Sequence, residues 1–376
     1  GLGSENIDYR LRNADFTPGK GVQWLGMPIA ALSQLQRVLV IGSNLRKDHP
    51  LFAQRVRQAV RRGCAVNVLN AASEDWAMPV ANTLLADSAT WVQALADIAA
   101  AIAAEKSVPA PVAGQASDVA KAIARSLLGG DRKAVLLGNA AAHHEHASSL
   151  LALANWIAEQ TGASVGYLTE AANTVGAQLV HAQPGQGGLN AAQMLAGDLR
   201  AVLLVNTEPE FDSAAGAAAV AGLNKAEMVV TLSPFKANMA YSDVLLPIAP
   251  FTETSGTFVN AEGLLQSFHA VVKPQGDTRP AWKVLRVLAN LLGLPGFDFD
   301  STQDVLSHMR CASLADATHV PAEKLNNAAS ISTPNLTPAK AAPVVASIYQ
   351  LDGLVRRAAS LQLTADARRA AEGASA

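Results

Sequence analysis

Cysteine is nearly absent: Cys64 and Cys311 are the only two in 376 residues, and they lie far apart. A disulfide framework needs more, and a Cys-ligated zinc or iron–sulfur site needs four ligands at close spacings. The chain by itself is therefore not expected to ligate an iron–sulfur cluster, and sparse reduced thiols fit the cytoplasm. Charge is scarce too, at 16% of residues, and nearly balanced at a formal −2. That gives no electrostatic reason to expect nucleic acid or an anionic membrane as partner. Long apolar runs are also missing. "WVQALADIAAAIAA" (Trp91 to Ala104) comes nearest to the ~18–20 residues of a spanning helix, but Gln93 and Asp97 interrupt it. No signal-peptide pattern opens the chain, and "GLGSENIDYRLRNADF" reads as the middle of something longer. A soluble protein, or one peripheral to a membrane complex, is expected.

Against these absences stand apolar residues, half of the total, arranged in a repeated pattern. In "RVLVIGSNLRKDHPLFAQRVRQAVRRGCAVNVLN", Val38 to Ile41 and Ala65 to Leu69 read as strands around a helix from Leu51 to Arg62. Leu51, Phe52, Val56 and Val60 are its expected apolar side, and Gly63 stops it. Strands joined through an amphipathic helix require a parallel crossover, right-handed in nearly all known cases. The pattern returns with strands at Ala134 to Leu137 and Ser164 to Leu168 around a helix from about His146 to Gln160, capped by Gly162. It returns again with strands at Ala201 to Val205 and Met228 to Leu232 and a helix starting near Ser213. Val244 to Ile248, closed by Pro247 and Pro250, reads as one more strand, fully buried.

The fold class is therefore α/β, with doubly wound parallel sheets in two related lobes. Residues 1–36 form an entry segment, and 37–280 the α/β region, with an Ala-rich helical insertion at 76–130. Residues 281–376 hold C-terminal helices and an extended tail, frayed from Ala365.

Ligands of open α/β sheets sit beyond the carboxyl ends of strands, so chemistry is expected in the loops there. Gly42, Ser43 and Asn44 occupy one such loop, where N–H groups before a helix can receive a phosphate. Their spacing matches neither common nucleotide fingerprint, and an ordinary tight turn is the plainer reading. "TETSGT", with Thr252, Thr254 and Gly256, occupies another. "HHEH" (His143 to His146) is not HExxH, lacks a third ligand and reads as a solvated helix N-terminus. "PGQGG" (Pro184 to Gly188) reads as a flexible connector. "NTEPEFD" (Asn206 to Asp212) gathers carboxylates fit for acid–base work or for capping, and capping by Asp212 or Ser213 is preferred. No nucleophile elbow orders a Ser–His–Asp set. No catalytic residue and no metal ligand is assigned.

Several motifs together carry a family resemblance. "VLVIGSNLRKDHPLFAQRVRQA" resembles the strand–GxN–HP–Arg segment of the molybdopterin oxidoreductase superfamily. "SDVLLPIAPFTETSGTFVNAEG" is similar to that superfamily's Asp, apolar strand, Pro, then E-x-x-G-T-F/Y-x-N-x-E-G. With "EAANTVGA", "GGLNAAQML", "RPAWKVLRVLANLLGLPGF" and "SIYQLDGLVRRAASLQLT", the chain resembles the large iron–sulfur subunits of bacterial NADH:quinone oxidoreductase, respiratory complex I. The similarity runs from Gly1 to about Arg369 and corresponds to that family's C-terminal half.

The resemblance implies a molybdopterin-oxidoreductase fold without a cofactor in this segment. The 4Fe-4S and 2Fe-2S clusters that pass electrons from NADH toward quinone are expected in an N-terminal half outside this sequence. It further implies docking to other hydrophilic-arm subunits of complex I, including the NADH-oxidising flavin subunit. The location implied is peripheral, on the cytoplasmic side of the bacterial inner membrane, with no nucleic acid and no direct membrane insertion. Under the alternative, a molybdopterin-dependent oxidoreductase fragment that still binds a pterin dinucleotide, the relict loop residues are Gly42, Ser43, Asn44, Thr252, Thr254 and Gly256. Gly256 is expected to permit a close turn, Thr257 to Val259 to form a short strand, and Asn260 and Gly263 to shape the next turn. The family's Arg after "AEG" is replaced by Leu264, which cannot bind an anion.

Overall fold

The computed structural model describes residues 2–313 and 318–373. The side chain of Cys311 lies outside the described residues; Cys64 is a free, buried thiol whose burial raises its pKa to about 11.

Strands β1 (Arg37–Ile41), β2 (Ala65–Asn70), β3 (Asn82–Leu85), β4 (Lys133–Leu137) and β5 (Ser164–Tyr167) form a parallel sheet in the order β3-β2-β1-β4-β5. Alternating side chains serve two cores, as strand pleating requires. Leu39, Ile41, Leu69, Val135 and Leu137 point into one core. It is closed by α3 (Trp91–Lys106), α4 (Asp118–Leu128) and α6 (Ala147–Thr161). Val38, Val40, Val66, Val68, Ala134 and Leu136 serve the other, against α2 (Pro50–Val60) and the turn Ile29–Gln34. α1 (Leu45–Asp48) and α5 (Asn139–Ala142) are single turns after β1 and β4. Each fully buried Leu or Val contributes about 1.5–3 kcal/mol of hydrophobic stabilisation. Asn67, fully buried in β2, keeps its place by bonding Val38 O, Ser126 Oγ and Asn82 Nδ2.

Two expectations change here. Leu51 is 78% exposed, because the turn of α1 before α2 rotates the helix so that Ala53, Val56 and Ala59 face the sheet. The stretch read as a helical insertion contains edge strand β3, and its helices α3 and α4 form a layer of the first lobe. Residues 24–26 lie against β5, where Gly26 and Gly166 leave no room for a Cβ beside Val165 O and Leu25 O.

The second lobe holds β6 (Ala201–Val205), β7 (Met228–Ser233) and β8 (Val244–Pro247), parallel and in that order. Between the lobes run α7 (Thr174–Leu179) and α8 (Ala191–Leu195), the latter with an Asn190/Gln193 capping box. After β6 come α9 (Pro209–Asp212) and α10 (Ala217–Leu223); Leu195, Leu204, Ala219, Leu223 and Val229 form one core face. The strand expected to be fully buried is not: Val244 and Leu246 of β8 are half-exposed. An edge strand has one neighbour, and among the described residues no helix covers this face of it.

Beyond β8, β9 (Gly256–Val259) and β10 (Leu265–Phe268) make an antiparallel hairpin, followed by α11 (Ala281–Leu291) and α12 (Thr302–Ser313). The tail expected to be extended folds into α13 (Gly353–Arg357), α14 (Ala359–Gln362) and α15 (Ala365–Gly373). Among the described residues no helix is long and apolar enough to cross a membrane.

Candidate functional site

The loop Gly42–Asn44 leaves β1 at the point where the strand order reverses between β1 and β4, the usual ligand crevice of such sheets. Gly42 sits at φ 63°, where a Cβ would meet Ala141 N and the Trp91 ring at 2.7 Å. Only glycine fits that backbone at that distance. All three loop N–H groups are donated inside the chain: Gly42 to Leu69 O (2.9 Å), Ser43 to Asn70 Oδ1 (3.0 Å) and Asn44 to Asp48 Oδ2 (3.0 Å). The Asn44 side chain caps α1 and donates to Glu74. None of these three N–H groups remains for a phosphate, and two carboxylates stand beside the loop. Asp48 is pushed up to about 6 by burial, with the negative charge of Glu74 adding to the effect. Ser43 Oγ and Asn139 Oδ1, at the ends of β1 and β4, are buried without a partner.

A chain of ion pairs occupies the space where the two lobes meet. His143 Nε2 lies 3.2 Å from Glu170 Oε2, and Arg12 Nη1 lies 2.8 Å from Glu170 Oε1. Arg12 Nη2 reaches Asp212 at 3.5 Å. Asp212 also receives Arg356 Nη1 at 2.9 Å, whose Nη2 reaches Glu208 at 3.2 Å; Arg357 meets Glu208 at 2.8 Å. Arg356 and Arg357 further stack over Phe211 and Phe235. Burial raises the Glu170 pKa, but the hydrogen bond from His143 and the charge of Arg12 outweigh it and hold the carboxyl below its ordinary value. Every guanidinium here already faces a carboxylate, which matches its charge, although Arg356 Nε is buried without a hydrogen-bond partner.

This arrangement corrects two readings. Glu208 and Asp212 both pair with Arg356, and neither Asp212 nor Ser213 caps the helix that follows: the N-cap of α10 is Gly216, while Asp212 Oδ2 accepts the Glu208 N–H at the start of α9. The "HHEH" run is only partly solvated: His143 and His144 are buried, while Glu145 and His146 are half-buried. His143 Nδ1 contacts Val344 O, and His144 contacts Ser88 O through Nε2 and accepts the His146 N–H through Nδ1. Burial lowers the His144 pKa, favouring the neutral ring. Among the described residues no group of three or more His, Cys, Asp or Glu converges as a metal site. "PGQGG" is tied to the entry segment through Gly185 N–H and Glu5 O.

The second candidate loop is elsewhere. Thr252 O accepts from Val271, Thr254 Oγ1 donates to Ala249 O, and Ser255 Oγ accepts from Ala270. At Gly256 a Cβ would stand 2.9 Å from the tip of the Phe268 ring, so a larger residue would push that ring aside. Gly263 takes φ 86°, and Asn260 Oδ1 accepts from Glu262 and Leu264 to close the hairpin turn. Thr254 and Gly256 border a half-open apolar cavity of about 420 Å³, with Phe251, Phe258, Trp282 and Met309; none of Gly42, Ser43 or Asn44 lines it. The two loops therefore do not make one site.

Arg12, Glu170, Arg356 and Arg357 were not singled out in the sequence. Their motifs, "RLRNADF" and "GLVRRAAS", are visible, but Arg356 meets Asp212 across 144 positions, a pairing that no local spacing encodes.

A family model described as molybdopterin oxidoreductase matches residues 1–291. Proteins of two Staphylococcus aureus strains, USA300 and NCTC 8325, provisionally named formate dehydrogenases, are 38% identical over 74 residues. That stretch is 19% of this chain and 8% of each relative, a small part of their length. The acetylene hydratase of Pelobacter acetylenicus superposes with a TM-score of 0.55 at 13% identity, over 82% of this chain and 57% of that one. The formyltransferase/hydrolase complex of Methylorubrum extorquens gives 0.50 at 17% identity, over 73% and 78%. At such identities the likeness concerns the fold.

Proposed function

Because the chain belongs to the molybdopterin oxidoreductase family, we propose that it is a non-catalytic docking half of an electron-transfer subunit. The subunit proposed is the large iron–sulfur subunit of a bacterial NADH:quinone oxidoreductase. In this reading the clusters belong to another part of the polypeptide. This half holds its shape beside flavin- and cluster-bearing partners on the cytoplasmic side of the inner membrane.

One observation carries the reading. The crevice between the lobes is crossed by the run His143–Glu170–Arg12–Asp212–Arg356–Glu208, which matches each arginine with a carboxylate and leaves a cavity of only about 180 Å³ beside His143 and Glu170. With the loop N–H groups of Gly42, Ser43 and Asn44 also engaged, the residues present do not fit an anionic pterin dinucleotide. An anion there would have to displace several charge-assisted pairs and would meet Asp48 and Glu74 in their place.

The alternative, a subunit that still binds a pterin dinucleotide, draws on the 74-residue similarity to formate dehydrogenases and on the unpartnered Ser43 Oγ and Asn139 Oδ1. Elemental analysis of the full-length native protein for Mo and W, with a fluorescent pterin assay, separates the two. The docking reading expects neither element nor pterin, and co-purification with flavin and iron–sulfur proteins. Stoichiometric Mo or W overturns it.

A further inference from the structure

The solvent side of α2 and of the turn that closes it gathers positive charge with no acid to answer it. Arg55, Arg57, Arg61 and Arg62 are exposed, and among the described residues none of the four has an ion pair, a side-chain hydrogen bond or a ring contact. No carboxylate occurs between His49 and Cys64. Elsewhere charge is matched: Arg125 faces Glu105 and Arg200 faces Glu227, and just before α2 Arg46 and Lys47 face Asp75 and Asp366. The helix dipole favours cations in the last turn, which accounts for Arg61 and Arg62 but not for Arg55 in the middle. The positive surface continues round the amino end of the first sheet. There Ala65, three residues after Arg62, pairs with Arg37, and Arg37 pairs with Lys133. On the same side of α2 as the arginines, Leu51 is 78% exposed, one turn before Arg55 and so beside it.

We infer that this face docks an acidic surface of a partner subunit, with Leu51 as its apolar anchor, an inference that rests on the docking reading above. Chemistry chooses among the polyanions. Single-stranded nucleic acid is held by ring stacking, and the one aromatic residue of α2, Phe52, packs inward against the first lobe's core. A phosphate backbone has no use for an exposed leucine. The chain is net negative in spite of these arginines, so a polyanion longer than the helix is repelled beyond it. An anionic bilayer needs a broad apolar side to insert, and a single leucine is not one. A protein surface uses what is present. Planar guanidinium forks meet carboxylates two bonds at a time, and they ring an apolar contact that the partner removes from water. All the cations of α2 are arginine and none is lysine, which suits that paired geometry.

Arginine modification by phenylglyoxal is followed by mass spectrometry in the isolated chain and in the natively purified assembly. Arg55, Arg57, Arg61 and Arg62 are expected to react freely in the chain alone and at least about fivefold more slowly in the assembly, where carboxylates cover them. Arg57→Glu together with Arg61→Glu is expected to leave the isolated chain's urea midpoint unchanged and to cut retention of flavin- and cluster-bearing partners about tenfold at low salt. Arg57→Lys together with Arg61→Lys keeps most of that retention, because the charge remains. Raising salt from about 50 to about 500 mM should weaken retention of the unaltered chain more than that of the Glu variant. Leu51→Ser should weaken it at every salt concentration. An assembly that contains those partners with the four arginines still reactive, or that tolerates Arg57→Glu with Arg61→Glu, overturns this inference and spares the docking reading. Protection of the arginines in the isolated chain overturns it too, since the chain then covers its own face. Binding of the isolated chain to a DNA duplex of about 20 base pairs, or to phosphatidylglycerol vesicles, that the Glu variant abolishes overturns the choice of a protein partner. Absence of flavin- and cluster-bearing partners from the assembly overturns both readings.

Discussion

The two lobes are built from the same unit and finished differently. In the first, β1, β2 and β4 are buried on both faces by helices. In the second, one layer covers one face, and half of the aliphatic side chains meet solvent. Strand composition does not separate them, since RVLVI and AVLLV are nearly interchangeable as strings. What differs is the length of the crossovers. Some 47 residues link β3 to β4 and carry two long helices, whereas ten link β7 to β8 and carry one turn. A lobe's helical cover is set by chain length between strands, and short crossovers leave part of a sheet's face in solvent.

The largest expected effect tests the finished lobe. Leu39→Ala should remove about 3–4 kcal/mol from unfolding in urea, because Leu39 is fully enclosed and its loss leaves a cavity. A cost below about 1 kcal/mol would show the first core to be loosely packed. Next comes the joint between the lobes. Arg356→Ala should cost about 1–3 kcal/mol by removing the partner that Glu208 and Asp212 share, the loss being limited because Arg357 and Arg12 remain beside them, and should lower the midpoint of the second lobe first. Hydrogen exchange on β6 and β7 checks the order of loss.

A smaller effect is expected from pH. Asp48 holds its proton up to about 6 because burial opposes its charge, while the unfolded chain releases it at the ordinary lower value. Its stabilising contribution is therefore full below that lower value and lost as pH rises through about 6. Glu170 has the opposite sign, its contribution present above the ordinary carboxyl range and lost on acidification. Asp48→Asn should thus raise stability at pH 8 by about 1–2 kcal/mol after allowance for partial exposure, with little gain at pH 4. Urea unfolding at both values measures it. The smallest effect belongs to the unfinished lobe: Leu203→Ala should cost less than about 1 kcal/mol in the isolated chain, since its side chain is already partly in water. A larger cost would erase the contrast between the lobes.

Much of the fold was legible in the residues. β1, β2, β4, β5, β6 and β7 fall within a residue of the aliphatic runs that announce them, and Gly162 ends α6 in a left-handed cap. The site was less legible. Gly42 was visible as a turn, but that its neighbours' N–H groups are consumed by Asn70 and Asp48 depends on side chains 4 and 27 positions away. The buried state of His143 and His144, and the pairing of Arg356 with Asp212, were hidden because each depends on segments far along the chain.

Periodicity and turn residues in the sequence by themselves determined a parallel α/β architecture and its strand positions, since backbone hydrogen bonding and side-chain alternation act over a few residues. Only the tertiary structure decided which strands are enclosed, which carboxylates meet which arginines, and whether the crevice has room for an anion. The ion pairs join segments more than a hundred residues apart, and throughout, burial and charge are set by neighbours that no local pattern names.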